Sequence, residues 1–568
     1  MPITSKLKRG LRSPRIWIAF ILIASIFVLS RCQPETKTQE ATNAVVQLPG
    51  DPYPACVVTP SVFAGWFQSG SVTLNGVATP ANSIAFPHND NCDFYQWAEH
   101  MFLWLTSPTP AQYGGGNGRV FTSQIFYDVS PPDANGNRSF ISQRPDVPIL
   151  MGVRAAQAGP NGLPVVLTAA GKLVEVIPGV LPGNKQLQGL QIGKDRPLIP
   201  AKLKGKAIVA KFKLQGRTVF LAPDGTVVPV EPGQADGGVL LAQNGSLIYY
   251  TIDVNDVYAY FRTGSGRPLN TITFPTTQSG FDSIAAFGAK KGMVFTDSVA
   301  LTLEVKSSWV LASTIPDSQN YITIRAVVPT YDRSNAKVWT PKGQDTVTLA
   351  LVGMHIVGSA AGHPEMIWAT FEHLNLTPDS TYDYINANQQ QVQVGPNTGG
   401  SWVFSQPNYT GTYNQMLNSY DPPNIVADSP NTKIQPSNNI RMKPWGAGFD
   451  KTPNQLDSSV AESNTEIISI NNSVRNQLIA GDIRTNYLLR GATWTIGGLV
   501  PTGPYPNGGN EVGTSLLCNS TMETFQQGSN RSVLTGANCF DCHQSGSSAL
   551  PLADTGVSHI FSALKPLF

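Results

Sequence analysis

Three segments in the first half of the chain share one pattern, in which two apolar runs flank a short polar tip that contains a glycine. They cover residues 165–176, 219–230 and 239–250, with Gly171, Gly225 and Gly245 at the tips. Glycine at a tight tip permits the positive φ that most residues avoid, and β-branched and aromatic flanks suit a pleated surface. The pattern therefore predicts β-hairpins.

The rest of the middle of the chain also favours strands, with a few helices between them. Further strands are expected at residues 299–305, 321–328, 346–357 and 366–371. Residues 93–105 and 256–262 have apolar spacings typical of amphipathic helices. Residues 379–464 are rich in Asn, Gln, Pro, Ser and Tyr, which favours long loops. The expected fold class is mainly β, as a β-sandwich or a multi-sheet β-rich body with long loops.

The charge balance of the chain excludes one broad class of function. Only 13% of the residues are charged, and 39 basic residues nearly cancel 37 acidic ones. Nucleic-acid binding draws its affinity from basic surfaces that neutralise phosphates, so this composition argues against a nucleic-acid partner. With only 6 cysteines in 568 residues, a dense disulfide scaffold is also excluded.

The N-terminus resembles an export signal. Five basic residues open it, namely Lys6, Lys8, Arg9, Arg12 and Arg15, and the uncharged apolar run 16–30 follows. This run fits a secretory signal peptide better than a membrane-spanning helix, which needs about 20 apolar residues. Cys32 stands where bacterial lipoproteins carry their acylated cysteine, although Arg31 departs from the small residue usual before it. Lipidation at Cys32, ordinary cleavage and a retained N-terminal anchor all remain open.

The motif with the most specific chemistry lies near the C-terminus. Cys539, Cys542 and His543 form C-x-x-C-H, the attachment sequence of a c-type haem. Two thiols at this spacing each add to one vinyl group of the porphyrin, and the adjacent histidine becomes the proximal iron ligand. A redox-active dithiol, a disulfide and a zinc site are the alternatives. Zinc would need two more ligands, for which only Cys518 and His559 lie near in sequence.

Several short stretches, together with C-x-x-C-H, resemble a family of large, secreted, mostly uncharacterised bacterial cytochrome c proteins. They are FLWLT at 102–106, EVKSSW at 304–309, VGMHIV at 352–357, WATFEH at 368–373 and NSTMETF at 519–525. The resemblance spans most of the chain and implies one covalently bound haem c.

These features divide the chain into four expected parts. Residues 1–31 are a signal peptide or N-terminal membrane anchor, and residues 32–50 are a polar tether that includes the flexible stretch 33–43. Residues 51–490 are the β-rich body, and residues 491–568 are a short, largely helical, haem-binding C-terminal segment. The expected location is outside the cytoplasm, in the periplasm or as an outer-membrane or cell-surface lipoprotein of a bacterium. Contact with a membrane is expected only through the N-terminal signal, anchor or lipid.

The second axial ligand of the iron would decide the chemistry. His559 is the nearest candidate after the motif, and bis-histidine ligation would give a low-potential electron carrier. Met522 is the next, and a thioether would raise the reduction potential. An open position would instead admit peroxide or oxygen. Either side chain is also compatible with ordinary packing.

A second group of polar residues could hold a metal ion. His355, His363, Glu372 and His373 lie within nineteen residues and contain the donor types that hold a non-haem metal or take part in a haem pocket. Such residues at sheet ends also commonly form hydrogen bonds to loops.

Cys56 and Cys92 are expected to pair as a disulfide in an oxidising compartment, which leaves Cys518 unpaired.

Three classes of function are consistent with these features. The first is an exported monohaem electron-transfer protein with a redox partner protein. The second is a haem-dependent oxidoreductase or peroxidase, with an open distal site and a small-molecule substrate pocket in the β-rich body. The third is a surface binding protein or a haem redox sensor.

Overall fold

The computed structural model describes most of the chain after residue 45. The described residues are 46–68, 76–131, 137–144, 147–150, 163, 165–167, 173–182, 191, 194–203, 207–214, 217–228, 238–264, 273–421, 424–446, 459–502, 510–527, 539–543 and 554–568. The expected signal 1–31, the cysteine Cys32 and the tether stretch 33–43 lie outside the described residues. Residues 44–568 belong to one compact unit.

The fold is mainly β, as expected, and its described strands form three sheets. The strands are β1 Phe126–Val129, β2 Phe140–Ser142, β3 Ile149–Leu150, β4 Val165–Leu167, β5 Leu173–Pro178, β6 Ile208–Leu214, β7 Arg217–Leu221, β8 Tyr249–Asn255, β9 Leu303–Leu311, β10 Thr323–Asp332, β11 Val338–Ala360, β12 His363–His373, β13 Tyr382–Ile385, β14 Gln391–Val394, β15 Asn418–Asp421, β16 Asn424–Ala427, β17 Tyr487–Thr495 and β18 Glu511–Gly513. The described helices are α1 Pro60–Gly65, α2 Asn91–Leu105, α3 Asp256–Gly264, α4 Gln278–Ala289, α5 Val460–Arg475 and α6 Cys539–Cys542.

A twelve-stranded sheet forms the centre of the molecule. Its main path runs β18-β17-β12-β11-β9-β8-β1-β2, and its neighbours along this path are antiparallel. The strands β3, β10, β15 and β16 join the same sheet off this path. A smaller sheet contains β4 to β7, and β13 pairs with β14. None of the helices in the described part of the chain is both long and apolar enough to span a lipid bilayer.

One face of the central sheet carries the main hydrophobic core. Leu303 and Val305 of β9, and Ile367, Ala369 and Phe371 of β12, are alternate residues of their strands and lie on this face. Helix α2 packs here, where Phe102 stacks on Phe371 with 4.2 Å between ring centroids. Asp90 caps α2 by accepting a hydrogen bond from the Asp93 backbone.

The opposite face of the same strands is also buried. Val357 of β11 pairs with Glu304 of β9 and with Trp368 of β12, and cross-strand partners point to the same side of a sheet. The apolar residues of this face join Phe540, Val557, Ile560 and Phe561 of the C-terminal residues in a second cluster. We call residues 539–543 and 554–564 the C-terminal layer.

Most of the elements predicted from the sequence are present. The segments 165–176 and 239–250 turn back on themselves, through the pairing of β4 with β5 and of Leu241 with Leu247. In segment 219–230, Leu221 bridges Val227 across the tip, and residues 229–230 lie outside the description. Both predicted helices appear as α2 and α3, and the strands predicted at 321–328, 346–357 and 366–371 correspond to β10, β11 and β12. Of the strand predicted at 299–305 only residues 303–305 belong to β9, because residues 298–300 form a 3-10 turn. β11 is longer than expected because its first half is an exposed ribbon paired with β10.

The C-terminal segment 491–568 differs from the expectation. It was expected to be largely helical and separate, but its first residues belong to strand β17, and β18 continues the central sheet. In its described part the only α-helix is the four-residue α6, with short 3-10 turns elsewhere. The segment packs its apolar residues against an existing sheet face, which needs no long helix.

A pair of buried carboxylates lies across strands β1 and β8. Asp128 and Asp253 are direct cross-strand partners, and they are only 8% and 0% exposed. Gln143 Nε2 and Thr251 Oγ1 donate hydrogen bonds to Asp253, at 2.6 Å and 2.9 Å. Burial raises the pKa of Asp128 to about 7, and it raises the pKa of Asp253 well above its usual range. The pair is therefore protonated more readily in the folded chain than in the unfolded one.

Replacing Asp128 by Asn should flatten the dependence of stability on pH. The unfolded aspartate titrates near pH 4, so the wild-type free energy of unfolding should fall as the pH rises from about 4 to 7. At pH 8 we expect Asp128→Asn to be more stable than the wild type by about 1–3 kcal/mol, with a smaller difference at pH 5. Urea unfolding at both pH values measures this, with the exposed Asp345→Asn as control. An unchanged pH slope in Asp128→Asn would contradict the interpretation.

Candidate functional site

The C-terminal layer lies on the second face of the central sheet and places the C-x-x-C-H motif there. Phe540 is fully buried in the motif, and Trp368 of β12 contacts it with 5.7 Å between ring centroids. Val557, Ile560 and Phe561 cover the same apolar surface, together with Tyr258 of α3. The motif therefore sits on a rigid sheet face and not on a free tail.

Polar contacts also hold the layer in place. Ser558 Oγ donates to Glu304 Oε2 at 2.7 Å, so the Tyr258 hydroxyl, 2.9 Å away, donates in turn to Ser558. Burial raises the pKa of Glu304, and the Ser558 hydrogen bond opposes that rise. Arg262 Nε donates to the Phe561 carbonyl at 2.7 Å. These bonds tie the layer to strand β9 and to helix α3.

The motif histidine has a defined orientation. Its backbone N–H donates to the Cys539 carbonyl at 3.0 Å, so Cys539 and His543 are one helical turn apart. His543 Nδ1 lies 2.9 Å from the Val557 carbonyl oxygen. A carbonyl only accepts, so Nδ1 carries the proton and Nε2 keeps its lone pair. Cys542 ends the helix, but its side chain lies outside the description.

His559 lies directly against His543. The two imidazole rings stack with 3.9 Å between centroids and an interplanar angle of 14°. Burial, together with the nearby His559 and Lys306, lowers the pKa of His543 well below its usual value. His543 is therefore neutral at physiological pH, which is the form that binds metals.

A third histidine lies on the same face. His355 of β11 pairs across the strands with Lys306 and Thr370, and its Nε2 lies 3.1 Å from both carboxylate oxygens of Glu523. Burial alone would raise the pKa of Glu523, but its contacts with His355 hold the pKa below the usual value. His355 therefore belongs to the surroundings of the motif.

Met522, the other candidate ligand from the sequence, is held in a buried turn. Its neighbour Thr521 shares a 2.8 Å hydrogen bond with Ser308 and accepts one from Tyr250 at its carbonyl oxygen. Met522 itself is buried. The structure thus places Met522 in the turn over β8 and β9, and it places His559 beside the motif.

The suggested second metal site is not assembled. His363 bonds to Glu365 at 2.9 Å and packs on Phe94 of the main core. His373 lies between Tyr321 and Tyr487. Glu372 faces the other side and pairs with Arg441. In the described part of the chain the only group of three potential ligands is Cys56, Cys92 and Glu466. The two cysteines of that group form a disulfide.

Cys518, to which the sequence analysis assigned no disulfide, lies close to the polypeptide backbone. Its Sγ is 3.9 Å from the Gln526 carbonyl oxygen, at the end of the turn that carries Met522 and Glu523. It lies before the motif in the chain, and the Cys56–Cys92 pair does not involve it.

Comparison with known proteins adds no relative. No protein-family model, curated protein or solved structure matches this chain. The site is therefore defined by its own residues and contacts.

The sequence did not single out several residues of this face. Trp368, Glu304 and Glu523 line it, and each lies within a stretch that was quoted above only for a family resemblance. Tyr258 and Ser558 carried no such signal. They become relevant only because the fold brings residues 300 positions apart into a 2.9 Å contact.

Removing a buried aromatic ring should release the C-terminal layer. Phe561 is 1% exposed and contacts Tyr258, Phe261 and Phe274, so Phe561→Ala should destabilise local docking by about 3–5 kcal/mol. Hydrogen exchange measured by mass spectrometry should show faster exchange in residues 554–564. Phe568→Ala is the matched control because that ring is 64% exposed. Equal exchange in both variants would show that the layer does not depend on this packing.

Proposed function

We propose that this chain is an exported monohaem c-type cytochrome that transfers electrons. Cys539 and Cys542 would form the thioether links, and His543 would bind the iron on the proximal side. When bound, the haem would supply one-electron chemistry. The partner would be a redox protein or a small redox-active molecule.

The observation that carries the proposal is the hydrogen bond from His543 Nδ1 to the Val557 carbonyl. Histidines that bind metals commonly donate their second ring N–H to a carbonyl or carboxylate, which fixes the ring and its tautomer. Here the bond is 2.9 Å long and leaves Nε2 as the available donor atom. A zinc site would need more ligands than the described residues gather at this motif.

The surroundings of the motif suit an apolar, planar cofactor. Cys539 is partly buried against the cluster that contains Val357, Trp368 and Phe540. Aromatic and aliphatic walls exclude water, which keeps His543 neutral and lowers the local dielectric constant. The chain's own contribution is therefore to hold the proximal histidine and exclude solvent.

His559 would be the second residue to hold the iron, with its ring turned out of the stack that it forms with His543. It lies next to His543, with 3.9 Å between ring centroids, whereas Met522 sits in the turn fastened by Thr521. Ser558, the residue before it, is fixed by Tyr258 and Glu304, which limits the positions that His559 can take. Two imidazole ligands would make this a low-potential electron carrier.

Export is supported by a feature of the described chain. The Cys56–Cys92 disulfide is of the kind that persists outside the cytoplasm. Covalent haem attachment requires the same side of the membrane in bacteria. A secreted location thus agrees with both the disulfide and the C-x-x-C-H motif.

Covalent haem attachment can be tested by mass. Full-length protein coexpressed with a cytochrome c maturation system should gain the mass of one haem and a c-type absorption spectrum. Cys539→Ala, Cys542→Ala and the double variant should lose at least one thioether each, and the double variant should lose all covalent haem. Cys518→Ala is the matched control and should keep it. A colourless wild-type protein of polypeptide mass would refute the proposal.

The second ligand can be tested by spin state. His559→Ala should convert a low-spin ferric spectrum to a high-spin one and open the iron to cyanide, because an axial ligand is lost. Met522→Ala should leave the spectrum unchanged. A wild-type protein that is already high-spin and reacts with peroxide would favour a haem-dependent peroxidase. A change in Met522→Ala alone would assign the ligand to the thioether.

A further inference from the structure

Two arginines lie buried beneath the second face of the central sheet, away from the haem motif. Arg441 and Arg490 are each 1% exposed, and both face the carboxylates of Glu372 and Asp379. Two positive charges thus meet two negative ones. The four charges cancel, but some of the arginine N–H donors have no hydrogen-bond acceptor among the described residues.

Arg441 donates hydrogen bonds to both carboxylates of this group. Its Nε donates to Glu372, and its Nη1 donates to Asp379 at 2.8 Å and to the Thr377 carbonyl at 2.6 Å. Glu372 also accepts from the backbone N–H and the hydroxyl of Ser520. The lone pairs of Glu372 are therefore largely used before Arg490 reaches it.

Arg490 is left without a hydrogen-bond acceptor among the residues described. Its Nε lies 3.8 Å from Glu372 and its Nη1 lies 3.5 Å from Asp379, which are distances of ion pairs and not of hydrogen bonds. Within the described chain none of its three nitrogens has a hydrogen-bond partner, and neither does Arg441 Nη2. A buried donor without an acceptor costs about 1–3 kcal/mol, and more when it is charged.

A third buried arginine, Arg484, is a useful comparison because residues of the chain supply its hydrogen-bond acceptors. Arg484 is 2% exposed, and its Nε and Nη2 donate to Asp482 at 2.9 Å and 2.5 Å. Its Nη1 donates to the carbonyls of Gly76 and Leu103. Equal burial therefore goes with complete pairing at Arg484, and the incomplete pairing at Arg490 needs a separate explanation.

The backbone directs Arg490 into this position. In the pairing of β12 with β17, Thr370 faces Gly491 and Phe371 faces Leu489, so Arg490 is the extra residue of a β-bulge. Bulges often re-aim a side chain beside a functional site. Gly491 follows with a φ of 153°, and a Cβ there would lie 2.0 Å from Thr514 Oγ1. The bulge thus requires glycine next to the arginine.

An aromatic ring fixes the plane of the guanidinium. The Arg490 Cζ lies 5.0 Å from the centre of the buried Trp445 ring, a cation–π contact. A planar guanidinium held on a ring is preorganised for bidentate binding of an oxyanion.

We propose that Arg490, held against the Trp445 ring, forms with Arg441 Nη2 a buried binding site for one small oxyanion. The unpartnered side-chain atoms of Arg490 and Arg441 are all donors, so the ligand must mainly accept hydrogen bonds. A tetrahedral inorganic oxyanion or a short carboxylate has this chemistry. The ligand would be taken up as the chain folds, because the site is closed to solvent. The site is independent of haem attachment.

Ion analysis tests the proposal directly. Full-length protein is dialysed into a chloride buffer and unfolded in guanidinium, and the released anions are measured by ion chromatography. We expect a stoichiometric amount of phosphate, sulfate or a short carboxylate, and the identity distinguishes these sources. Absence of any stoichiometric oxyanion, or a crystal structure with only water at Arg490, would overturn the proposal.

Refolding in the presence of defined probes tests the residue. Refolding with phosphate, sulfate or acetate should raise the unfolding temperature for the preferred anion. Arg490→Lys keeps the positive charge but loses the two parallel N–H donors of the guanidinium. The apparent affinity of this variant for the anion should therefore be about 10- to 100-fold weaker. Arg484→Lys is the matched buried control and should keep the anion response. An equal response in Arg490→Lys and wild type would refute the assignment, and the wild-type measurement stands even if a variant fails to fold.

Discussion

The central strands of the sheet are buried on both faces, and this requirement organises the rest of the molecule. The face with Val305 and Phe371 is covered by helix α2, which arrives early in the chain. The face with Val357 and Trp368 is covered by residues from the end of the chain. Burial of apolar area on both sides stabilises the fold, so the C-terminal layer is part of the core and not an appendage. This explains why residues 44–568 form one compact unit.

Burying the second face also means burying polar groups, and most of them receive partners from late in the sequence. Glu304 is met by Ser558, His355 by Glu523, and Glu372 by Ser520. Each pair joins an early strand to a residue at least 148 positions later in the chain. Unpaired buried charges would be costly, so these contacts specify one way of laying the end of the chain on the sheet. Among the described residues, Arg490 and Arg441 Nη2 depart from this pattern, and a bound oxyanion would complete it.

In the proposed cytochrome, the large β-rich body acts as a rigid support for the iron ligands. A short C-x-x-C-H segment has few contacts of its own, but here Phe540 and Phe561 anchor it to the sheet. The carbonyl of Val557 sets the tautomer of His543, and the fixed Ser558 positions His559 beside it. Support of both histidines by one packed surface would limit their motion when the iron changes oxidation state. That proposed role would account for a body much larger than a small carrier needs.

The sequence alone determined the mainly β class, helices over 93–105 and 256–262, and the haem motif as a hypothesis, because these depend on local periodicity and short-range spacing. It also singled out Cys56 with Cys92, which the structure joins. It did not separate His559 from Met522, and it grouped His355, His363, Glu372 and His373, which the two sheet faces divide. Only the tertiary structure shows where each of these side chains lies. Strand register selects the face on which a side chain lies, and register is set by pairings hundreds of residues apart. The same long-range pairing created the bulge that buries Arg490, which local sequence does not reveal.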